Sequence, residues 1–238
     1  MVRAGRHVVV IGGTKGLGFE VAKACVRQGA RVTITGRDEA YAKARASELG
    51  ELATGAECEL TDWDSLERLF ENMDVVDHLV LTALDRDFNT IKDFRPDDCA
   101  RTSLMKTVGY ATAVHKALPK FSDDASVVMF SGLSMWRPVP GSTTISMANA
   151  GIIGLVNSLA VEIPPVRVNA ITPGVVTGTA AVDGADQVRS DWFEAMRQRT
   201  PAKRLPTAED ITASVMLLLD CPGINGANLV VDAGMHLA

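Results

Sequence analysis

Short apolar runs alternate with amphipathic segments along almost the whole chain. The apolar runs are rich in β-branched residues and shorter than helices, which is typical of strands buried on both faces of a sheet. They occupy residues 7–11, 30–35, 56–60, 75–81, 125–131, 166–171 and 228–232. The segments between them predict helices, chiefly over 38–49, 64–72, 97–118, 144–162 and 211–220.

This alternation of strands and helices predicts an α/β fold. Seven apolar strands separated by helices indicate a Rossmann-like, doubly wound, seven-stranded parallel sheet with helices on both faces. Thr207 and Asp210 have the spacing of a capping box at the start of the last predicted helix. No low-complexity linker or internal repeat interrupts the pattern, so we expect one domain over residues 1–238.

The turn after the first strand is rich in glycine. Gly12, Gly16 and Gly18 follow the pattern G-x-x-x-G-x-G, which permits a tight turn, a close approach to a diphosphate and close packing of helix on strand. The helix after this turn offers unpaired backbone N–H groups to a phosphate. The pattern therefore favours a dinucleotide site, and an ordinary glycine-rich turn is the alternative.

The end of the second strand indicates which dinucleotide binds. Where an NAD-binding fold usually places an acid for the adenosine ribose, this chain has Gly36 and Arg37, and Lys15 lies within the glycine turn. Two cations without an acid at the first position favour a 2′-phosphate and hence NADP(H), and the alternative is that both side chains are solvated surface charges. Asp38 is the one neighbouring residue that argues for NAD(H).

Composition excludes several classes of partner. The net charge is −5 with acids and bases interspersed, so there is no basic stripe for nucleic acid or for an anionic membrane. No apolar run approaches the length of a bilayer span, and we expect a cytoplasmic protein that binds a small-molecule substrate or ligand. The cysteines and histidines have no metal-ligand spacing, so we expect no metal.

Three ordered motifs carry a resemblance to a known family. IGGTKGLG at 11–18, RVNAITPGVVTGT at 167–179 and GANLVVDAG at 226–234 resemble segments of short-chain dehydrogenase/reductases (SDRs), at similar separations and over nearly the whole chain. The resemblance implies that a nicotinamide cofactor is held by Gly12, Thr14, Lys15, Gly16, Leu17, Gly18, Arg37, Glu59, Leu60, Ala83, Asn149, Pro173, Gly174, Val175 and Thr177.

The departures from the family concern the active centre. SDRs carry a tyrosine and a lysine four residues apart on the fifth helix, but this segment reads ISMANAGIIGL, with Ile145 and Asn149 at those positions. Isoleucine cannot donate the proton that ketone reduction requires, and positioned acid catalysis is typically worth about 100- to 10,000-fold. We therefore expect ordinary ketone turnover to be severely slowed. Asn149 could still bind the nicotinamide ribose.

The other catalytic positions of the family are also altered. Ser131 and Ser134 are the candidates for the family serine, although counting back from Ile145 ends nearer Gly132. Ser103 is the counterpart of the family asparagine to within one helical turn. Of the family segment NNAG, only Ala83 is retained. Because these changes surround the nicotinamide end, we infer an altered active centre.

Several sources of a proton are open. Ser103, Lys106 and Tyr110 share a helical face by their spacing, but Lys106 could equally be solvated or contact backbone, and Tyr110 could pack against a helix or a subunit. Hydroxyl groups near Ser131 and Ser134 are a second source. A substrate that needs no acid from the protein, such as an iminium ion or an activated alkene, is the third alternative.

The substrate side is less specific. Residues 178–204 correspond to the variable substrate loop of the family, where Trp192 and Phe193 either line a pocket with Met135 and Trp136 or form the buried face of a short helix. The resemblance further implies a homodimer or homotetramer through the fourth and fifth helices of the family, which correspond to the helices predicted here over 97–118 and 144–162. Three functions are compatible with the sequence: an NADP(H)-dependent oxidoreductase of atypical mechanism, a catalytically inactive NADP(H)-binding sensor or partner protein, and a non-redox enzyme that uses the same pocket.

Overall fold

A seven-stranded parallel sheet organises the structure, a computed structural model that describes residues 4–178 and 187–238. The strand order is β3-β2-β1-β4-β5-β6-β7, and each neighbouring pair is parallel. This confirms the predicted α/β, doubly wound fold. The strands are β1 (His7–Ile11), β2 (Arg31–Gly36), β3 (Ala53–Glu57), β4 (Val76–Leu81), β5 (Phe121–Phe130), β6 (Arg167–Pro173) and β7 (Asn228–Val231).

Helices cover both faces of this sheet. They are α1 (Gly16–Arg27), α2 (Glu39–Ser47), α3 (Trp63–Glu71), α4 (Pro96–Leu104), α5 (Tyr110–Ala117), α6 (Thr143–Glu162), α7 (Gln187–Arg199) and α8 (Ala208–Asp220). One face of the sheet buries apolar residues of α1 and α8, and the other buries residues of α3, α5 and α6. The chain order reverses between β1 and β4, so the carboxyl ends of these strands border a crevice in which ligands of such sheets bind.

Most predicted boundaries agree to within two residues, but β5 begins at Phe121, four residues before the predicted start at 125. The capping box of Thr207 and Asp210 is present at the start of α8. The prediction of a strand over 56–60 was wrong by three residues, because β3 covers Ala53–Glu57. This edge strand pairs only with β2 and is half-buried, so its residues ATGAE lack an apolar run. Cys58 and Leu60, which drew the prediction, are buried in the loop after the strand.

The helix predicted over 97–118 contains an irregular turn. Residues Met105–Gly109 form a π-helical turn between α4 and α5, and the last predicted residue, Leu118, begins a short 3₁₀ turn. A π turn adds a residue to one turn of the helix, so side chains after it are rotated about the axis relative to side chains before it. Spacing rules for an ideal α-helix therefore do not apply across Lys106.

Helix α6 corrects the expectation that no segment is long enough to span a bilayer. Among the described helices it passes a test of length and composition, with a mean hydropathy of 1.5. Core helices of soluble proteins pass the same test, and α6 packs against the sheet through Ile152 and Val156, which are buried in the same cluster as β4 and β5. Its apolar composition therefore has an explanation in the fold.

Candidate active site

A cleft of about 710 Å³ lies at the carboxyl ends of β1, β2 and β4. It contains most of the residues that the sequence assigned to a cofactor. These are Gly12, Thr14, Lys15, Gly16, Leu17, Gly18, Arg37, Glu59, Leu60, Ala83 and Pro173. Asn149, Gly174 and Val175 instead line an adjoining cavity. Thr177 lines neither space, and its hydroxyl donates to the carbonyl oxygen of Pro206 at 3.3 Å.

Gly12 and Gly16 lack a side chain for different structural reasons. Gly12 has φ +87°, and a Cβ there would lie 2.6 Å from the backbone nitrogen of Ala83, so only glycine fits between the two strand ends. Gly16 has φ +56°, but a Cβ there would have no atom within 4 Å. Open space at Gly16 leaves the backbone accessible to a ligand. The turn therefore fits a diphosphate that approaches at Gly16.

The start of α1 has the features of an anion site. No side chain caps the helix at Lys15, and the first turn contains no acidic residue. The leading backbone N–H groups and the positive end of the helix dipole therefore point toward the cleft without an internal counter-charge. This arrangement fits the phosphates of a dinucleotide.

The two residues that follow β2 have different roles, because Arg37 lies at the cleft and Asp38 caps a helix. Arg37 is exposed and its guanidinium lies 3.2 Å from the Asp85 carboxylate at the edge of the cleft. Asp38 caps α2, because its carboxylate accepts a hydrogen bond from the Tyr41 backbone nitrogen at 2.9 Å. The Asp38 carboxylate is therefore committed to the helix terminus. Glu59, at the adenine position, is likewise turned to its own loop and accepts two hydrogen bonds from Thr61.

The adjoining cavity has a volume of about 1080 Å³ and lies between β5, α6 and α7. Leu84, Lys106, Ser131 and Pro173 line both spaces, so the cleft and the cavity meet at these residues. The cavity wall is largely apolar, with Trp136, Trp192, Phe193 and Met196 among its residues. Trp192 is exposed and Phe193 half-buried, so the interpretation of these two as the buried face of a helix was wrong. They line the cavity with Trp136, as the alternative expected, but Met135 is not part of the cavity wall.

The charged side chains of the cavity wall are all cationic among the residues that the structure describes. They are Arg86, Lys106, Arg137 and Arg199, and no aspartate or glutamate joins them. This contrasts with the net charge of −5 for the whole chain. These side chains favour a positive local potential at the described part of the cavity wall.

Ile145 and Asn149 are one turn apart on α6 and both face the cavity. Ile145 presents only hydrocarbon there. The Asn149 amide donates to the Ser134 hydroxyl at 2.9 Å, and the Ser131 hydroxyl donates to the Asn149 backbone carbonyl at 2.9 Å. Both candidate serines are therefore next to Asn149, but each is engaged with it or its helix.

Gly132 and Asn149 fit each other closely. A Cβ on Gly132 would lie 2.6 Å from the Asn149 side-chain nitrogen, so any larger residue at 132 would require Asn149 to move. The Asn149 side-chain oxygen is buried and has no hydrogen-bond partner within the described residues. A buried acceptor without a partner costs about 1–3 kcal/mol, which a ligand hydroxyl would recover. Asn149 therefore fits a ribose hydroxyl on the cavity side of the junction between the two spaces.

Lys106 contacts backbone and not solvent, which is one of the two environments that the sequence left open for it. The side chain is only 2% exposed, so the expectation of a solvated lysine was wrong, and its ammonium group donates to the Ser131 backbone carbonyl over 3.4 Å. Burial lowers the pKa of Lys106 from 10.5 to about 7, and no neighbouring charge contributes to the shift. Ser103 lies outside the cavity wall, where its carbonyl accepts from Thr107. Lys106, rather than Ser103, thus lies at the active centre.

Tyr110 belongs to the core. It is fully buried, lines neither the cleft nor the cavity, and its hydroxyl donates to the Ala83 carbonyl at 2.9 Å. Burial raises the pKa of its phenol well above the ordinary value. Tyr110 packs within its own subunit, as one alternative expected, and the relocated tyrosine and lysine pair is not formed.

Tyr110→Phe should therefore affect stability without affecting ligand binding. The variant leaves the Ala83 carbonyl without its donor, which should lower the free energy of unfolding by about 1–3 kcal/mol. Denaturant unfolding measures the first effect, and calorimetric titration with NADPH measures the second. A loss of nucleotide affinity of tenfold or more in a folded Tyr110→Phe protein would mean that the phenol reaches the site.

Metal chemistry has no support in the described part of the chain. No group of three or more histidine, cysteine, aspartate or glutamate side chains there is placed to hold a metal ion. Cys25 and Cys58 are free and buried, and burial raises the pKa of each thiol to about 12.

Known proteins resemble this chain over almost its full length. A sequence profile of the family described as enoyl-(acyl carrier protein) reductase matches residues 12–236. The short-chain dehydrogenase/reductase MalC of Malbranchea aurantiaca is 26% identical, over 98% of this chain and 95% of its own. The 3-oxoacyl-[acyl-carrier-protein] reductase FabG of Haemophilus influenzae is 29% identical, over 98% of this chain and 99% of its own.

A solved structure has the same fold. The structure described as the MalC reductase/Diels-Alderase from Malbranchea aurantiaca superposes with a TM-score of 0.92 and 24% sequence identity. The match covers 100% of this chain and 98% of that chain. The sheet, the glycine turn and the crevice between β1 and β4 are therefore the framework of a known fold.

Proposed function

Because the chain belongs to the short-chain dehydrogenase/reductase family, whose members bind nicotinamide cofactors, we propose that it is an NADP(H)-dependent oxidoreductase that works without a tyrosine proton donor. The observation that carries the proposal is the junction of the cofactor cleft with the apolar cavity. When bound, NADPH supplies a hydride. A substrate in the cavity would meet the cofactor at Lys106 and Ser131, which line both spaces.

The choice of NADP(H) rests on charge at the mouth of the cleft. Lys15 and Arg37 both line it, and the cleft also contains the open backbone at Gly16. The carboxylate of Asp38 is engaged in capping α2, so it is poorly placed to bind a ribose hydroxyl as an NAD-selective acid would. The remaining cations favour a 2′-phosphate.

The residues at the junction and on the adjoining cavity wall have different roles in the proposed function. Asn149 would hold the nicotinamide ribose through its unpaired side-chain oxygen, and Ser134 would keep the amide oriented through their hydrogen bond. Ile145 contributes an apolar wall and no proton. Ser131 is turned toward the α6 backbone, which fixes the strand end against the helix.

The charge of the cavity selects between candidate substrates. Lys106, Arg86, Arg137 and Arg199 would repel an iminium cation, and the described wall has no aspartate or glutamate side chain to balance it. An anionic carbonyl compound would be attracted, and a neutral one would not be repelled. The FabG relative is named for a 3-oxoacyl group, which is a ketone, and acetoacetyl-coenzyme A is an anionic probe of that class.

Two alternatives make different predictions. A sensor or partner protein would bind NADPH but release no reduced product. A non-redox enzyme would transform its ligand without consuming NADPH, and the solved relative described as a reductase/Diels-Alderase is named for a non-redox reaction as well. NADPH oxidation in step with product formation separates the proposed function from both.

Calorimetric titration of the ligand-free protein with NADPH and NADH tests whether the protein binds a nicotinamide cofactor and prefers NADP(H). We expect micromolar binding of NADPH and binding of NADH about tenfold weaker or more, which corresponds to about 1.4 kcal/mol. Arg37→Ala should remove most of that difference, because the guanidinium would contact the 2′-phosphate. Lys43→Ala, which changes an exposed lysine of α2 that pairs with Glu39, is the matched control. Failure to bind either nucleotide would refute the oxidoreductase and sensor functions together.

We also propose that the protein is a cytoplasmic homo-oligomer. We infer a homodimer or homotetramer through the outer surface of α4, the π-helical turn and α6, where Leu104, Val108, Met147 and Val161 are exposed apolar residues. A cytoplasmic location is consistent with the lack of a basic stripe or polybasic segment in the sequence.

A further inference from the structure

The side chain of Lys106 is in an unusual environment for a lysine. It is 2% exposed, and its one hydrogen bond among the described residues, to the Ser131 carbonyl, is long at 3.4 Å. An ammonium group has three N–H donors, so most of its hydrogen-bonding capacity is unused there. Buried charges in folded proteins are ordinarily paired with an opposite charge. Lys106 has no carboxylate partner in the described part of the protein.

A purely structural role does not account for this residue. Its hydrocarbon stem could be replaced by methionine or leucine without the cost of burying a charge. Another lysine from the same stretch of helix, Lys116 of α5, shows the usual solution, because it reaches the surface and pairs with Glu67. Strongly desolvated titratable groups in a cavity are typical of functional sites. Lys106 is such a group, and the cavity is the proposed substrate site.

The position of Lys106 is suited to chemistry on a carbonyl. It lines both the cofactor cleft and the cavity, on the wall that Ser131 and Leu84 share with it. The π-helical turn at Met105–Gly109 carries it there, while Tyr110, four residues later, points into the core. A carbonyl oxygen bound at the junction would find in Lys106 the unused N–H donors of an ammonium group.

We propose that Lys106 is the catalytic acid of this protein and takes the place of the missing tyrosine. This inference rests on the proposed oxidoreductase function. As the hydride from NADPH forms a bond to the carbonyl carbon, the C=O π electrons move to oxygen. The N–H bond of Lys106 breaks, its proton bonds to that oxygen, and the nitrogen keeps the electron pair as a neutral amine. The products are an alcohol and NADP⁺, and water returns a proton to the amine before the next turnover.

The charged groups around Lys106 bear on its titration. Ser131 at the end of β5 and Ile145 and Asn149 on α6 present no charge to it. The charged residues that line the same cleft or cavity are Lys15, Arg37, Asp38, Glu59, Asp85, Arg86, Arg137 and Arg199. Asp85 is paired with Arg37 and Arg101, so its charge is already balanced. Asp38 and Glu59 are engaged with backbone or hydroxyl donors of their own segments. The described surroundings therefore hold no carboxylate in contact with Lys106 that would keep the ammonium form at alkaline pH.

Nuclear magnetic resonance can measure the titration of Lys106 without a substrate. Signals of the lysine ε-CH₂ groups would be recorded from pH 5 to 11, with Lys106→Met to assign the signal. We expect a midpoint near pH 7 in the free protein. The midpoint should be lower with NADP⁺ than with NADPH, because the oxidised nicotinamide ring is cationic and lies beside the acid. A midpoint above pH 10, or one that is identical in the two complexes, would overturn the proposal.

Kinetics with acetoacetyl-coenzyme A and NADPH provide a second measurement. Lys106→Met should lower kcat by about 100-fold or more. Lys106→Arg should retain part of the rate but lose the decline of kcat above neutral pH, because guanidinium does not deprotonate in this range. Lys116→Met is the matched control and should stay within about twofold of the parent, because Lys116 is remote from the cavity wall. Equal rates for the parent and Lys106→Met would exclude Lys106 as the acid.

The oxidoreductase function and the role of Lys106 can fail separately. If calorimetry finds no nucleotide binding, the oxidoreductase function fails, whatever the titration midpoint of Lys106 is. If NADPH binds and the Lys106 signal does not respond to its redox state, the function stands and the assignment of the acid fails.

Discussion

Lys106→Met should make the folded protein more stable at pH 7, by about 4 kcal/mol in the free energy of unfolding. Burial lowers the pKa of Lys106 to about 7, whereas the same lysine in the unfolded chain has its ordinary value of 10.5. Keeping the ammonium group inside the protein therefore costs free energy that methionine does not. The lost hydrogen bond to Ser131 is long, at 3.4 Å, and offsets little of this gain.

The sign of the pH dependence makes this prediction specific. Between pH 7 and 10.5 the unfolded chain binds a proton at Lys106 that the folded chain has released, so the stability of the parent rises with pH in this window. The advantage of Lys106→Met should therefore shrink from about 4 kcal/mol at pH 7 to about 1 kcal/mol at about pH 9.5. Urea unfolding of both proteins at the two pH values measures the difference.

Lys116→Met is the control for this measurement. Lys116 is partly exposed and paired with Glu67, so its replacement should change stability by no more than about 1 kcal/mol in the destabilising direction. A gain for Lys116→Met as large as that for Lys106→Met would point to a general effect of removing positive charge. A parent and a Lys106→Met protein of equal stability at both pH values would mean that Lys106 is not a desolvated cation.

A residue that lowers stability and is placed at a cavity is understandable if it serves function. Active sites commonly retain groups that the fold alone would not favour. The combination of higher stability and lower turnover in Lys106→Met would distinguish a catalytic acid from a structural residue, since loss of a structural residue would lower both. The stability experiment thus complements the kinetic one.

The sheet could be predicted from sequence because its strands are buried on both faces. Residues such as Val8, Val9 and Val10 are inaccessible to solvent, so the strand appears as an unbroken apolar run. The edge strand β3 was misplaced for the opposite reason, since it is half-buried and contains Thr54 and Gly55. The glycine turn was predictable because its geometry demands residues without a side chain.

The active centre was less predictable, because it depends on contacts between distant segments. The spacing of Lys106 and Tyr110 placed them on one face of an ideal helix, but the π-helical turn directs one to the cavity and the other to the core. Neither the burial of Lys106 nor its contact with Ser131 has a local signal in the sequence. The cationic wall of Arg86, Arg137 and Arg199 likewise forms from three separate parts of the chain.

The close fit of Gly132 and Asn149 shows a further dependence that a single sequence does not reveal. Counting back from Ile145 ends nearer Gly132 than the candidates Ser131 and Ser134, but a serine at 132 would bring a Cβ within 2.6 Å of the Asn149 side-chain nitrogen. A side chain at 132 would therefore require the Asn149 side chain to move.

Ile145→Tyr combined with Asn149→Lys, added to the Lys106→Met protein that lacks its own acid, should raise the reduction of acetoacetyl-coenzyme A by NADPH about 100-fold or more. The two positions are one turn apart on α6 and both face the cavity, so the substitutions place a phenol and an ammonium group on the same wall. The ammonium group would lower the phenol pKa and favour proton donation near neutral pH. Turnover would be followed by the absorbance of NADPH, in proteins checked for folding by their unfolding transitions.

The matched controls separate the effect of the phenol hydroxyl group from the effect of filling the cavity with a larger side chain. Ile145→Tyr alone should give a smaller gain, because the phenol would lack the added ammonium group, and Ile145→Phe should give none, because it fills the same volume without a hydroxyl. Gly132→Ser should be tolerated better beside Asn149→Lys than beside Asn149, because the close contact at 2.6 Å is with the asparagine amide. If the folded double variant binds NADPH and its rate is unchanged, the cavity no longer holds a ketone in the pose of the family.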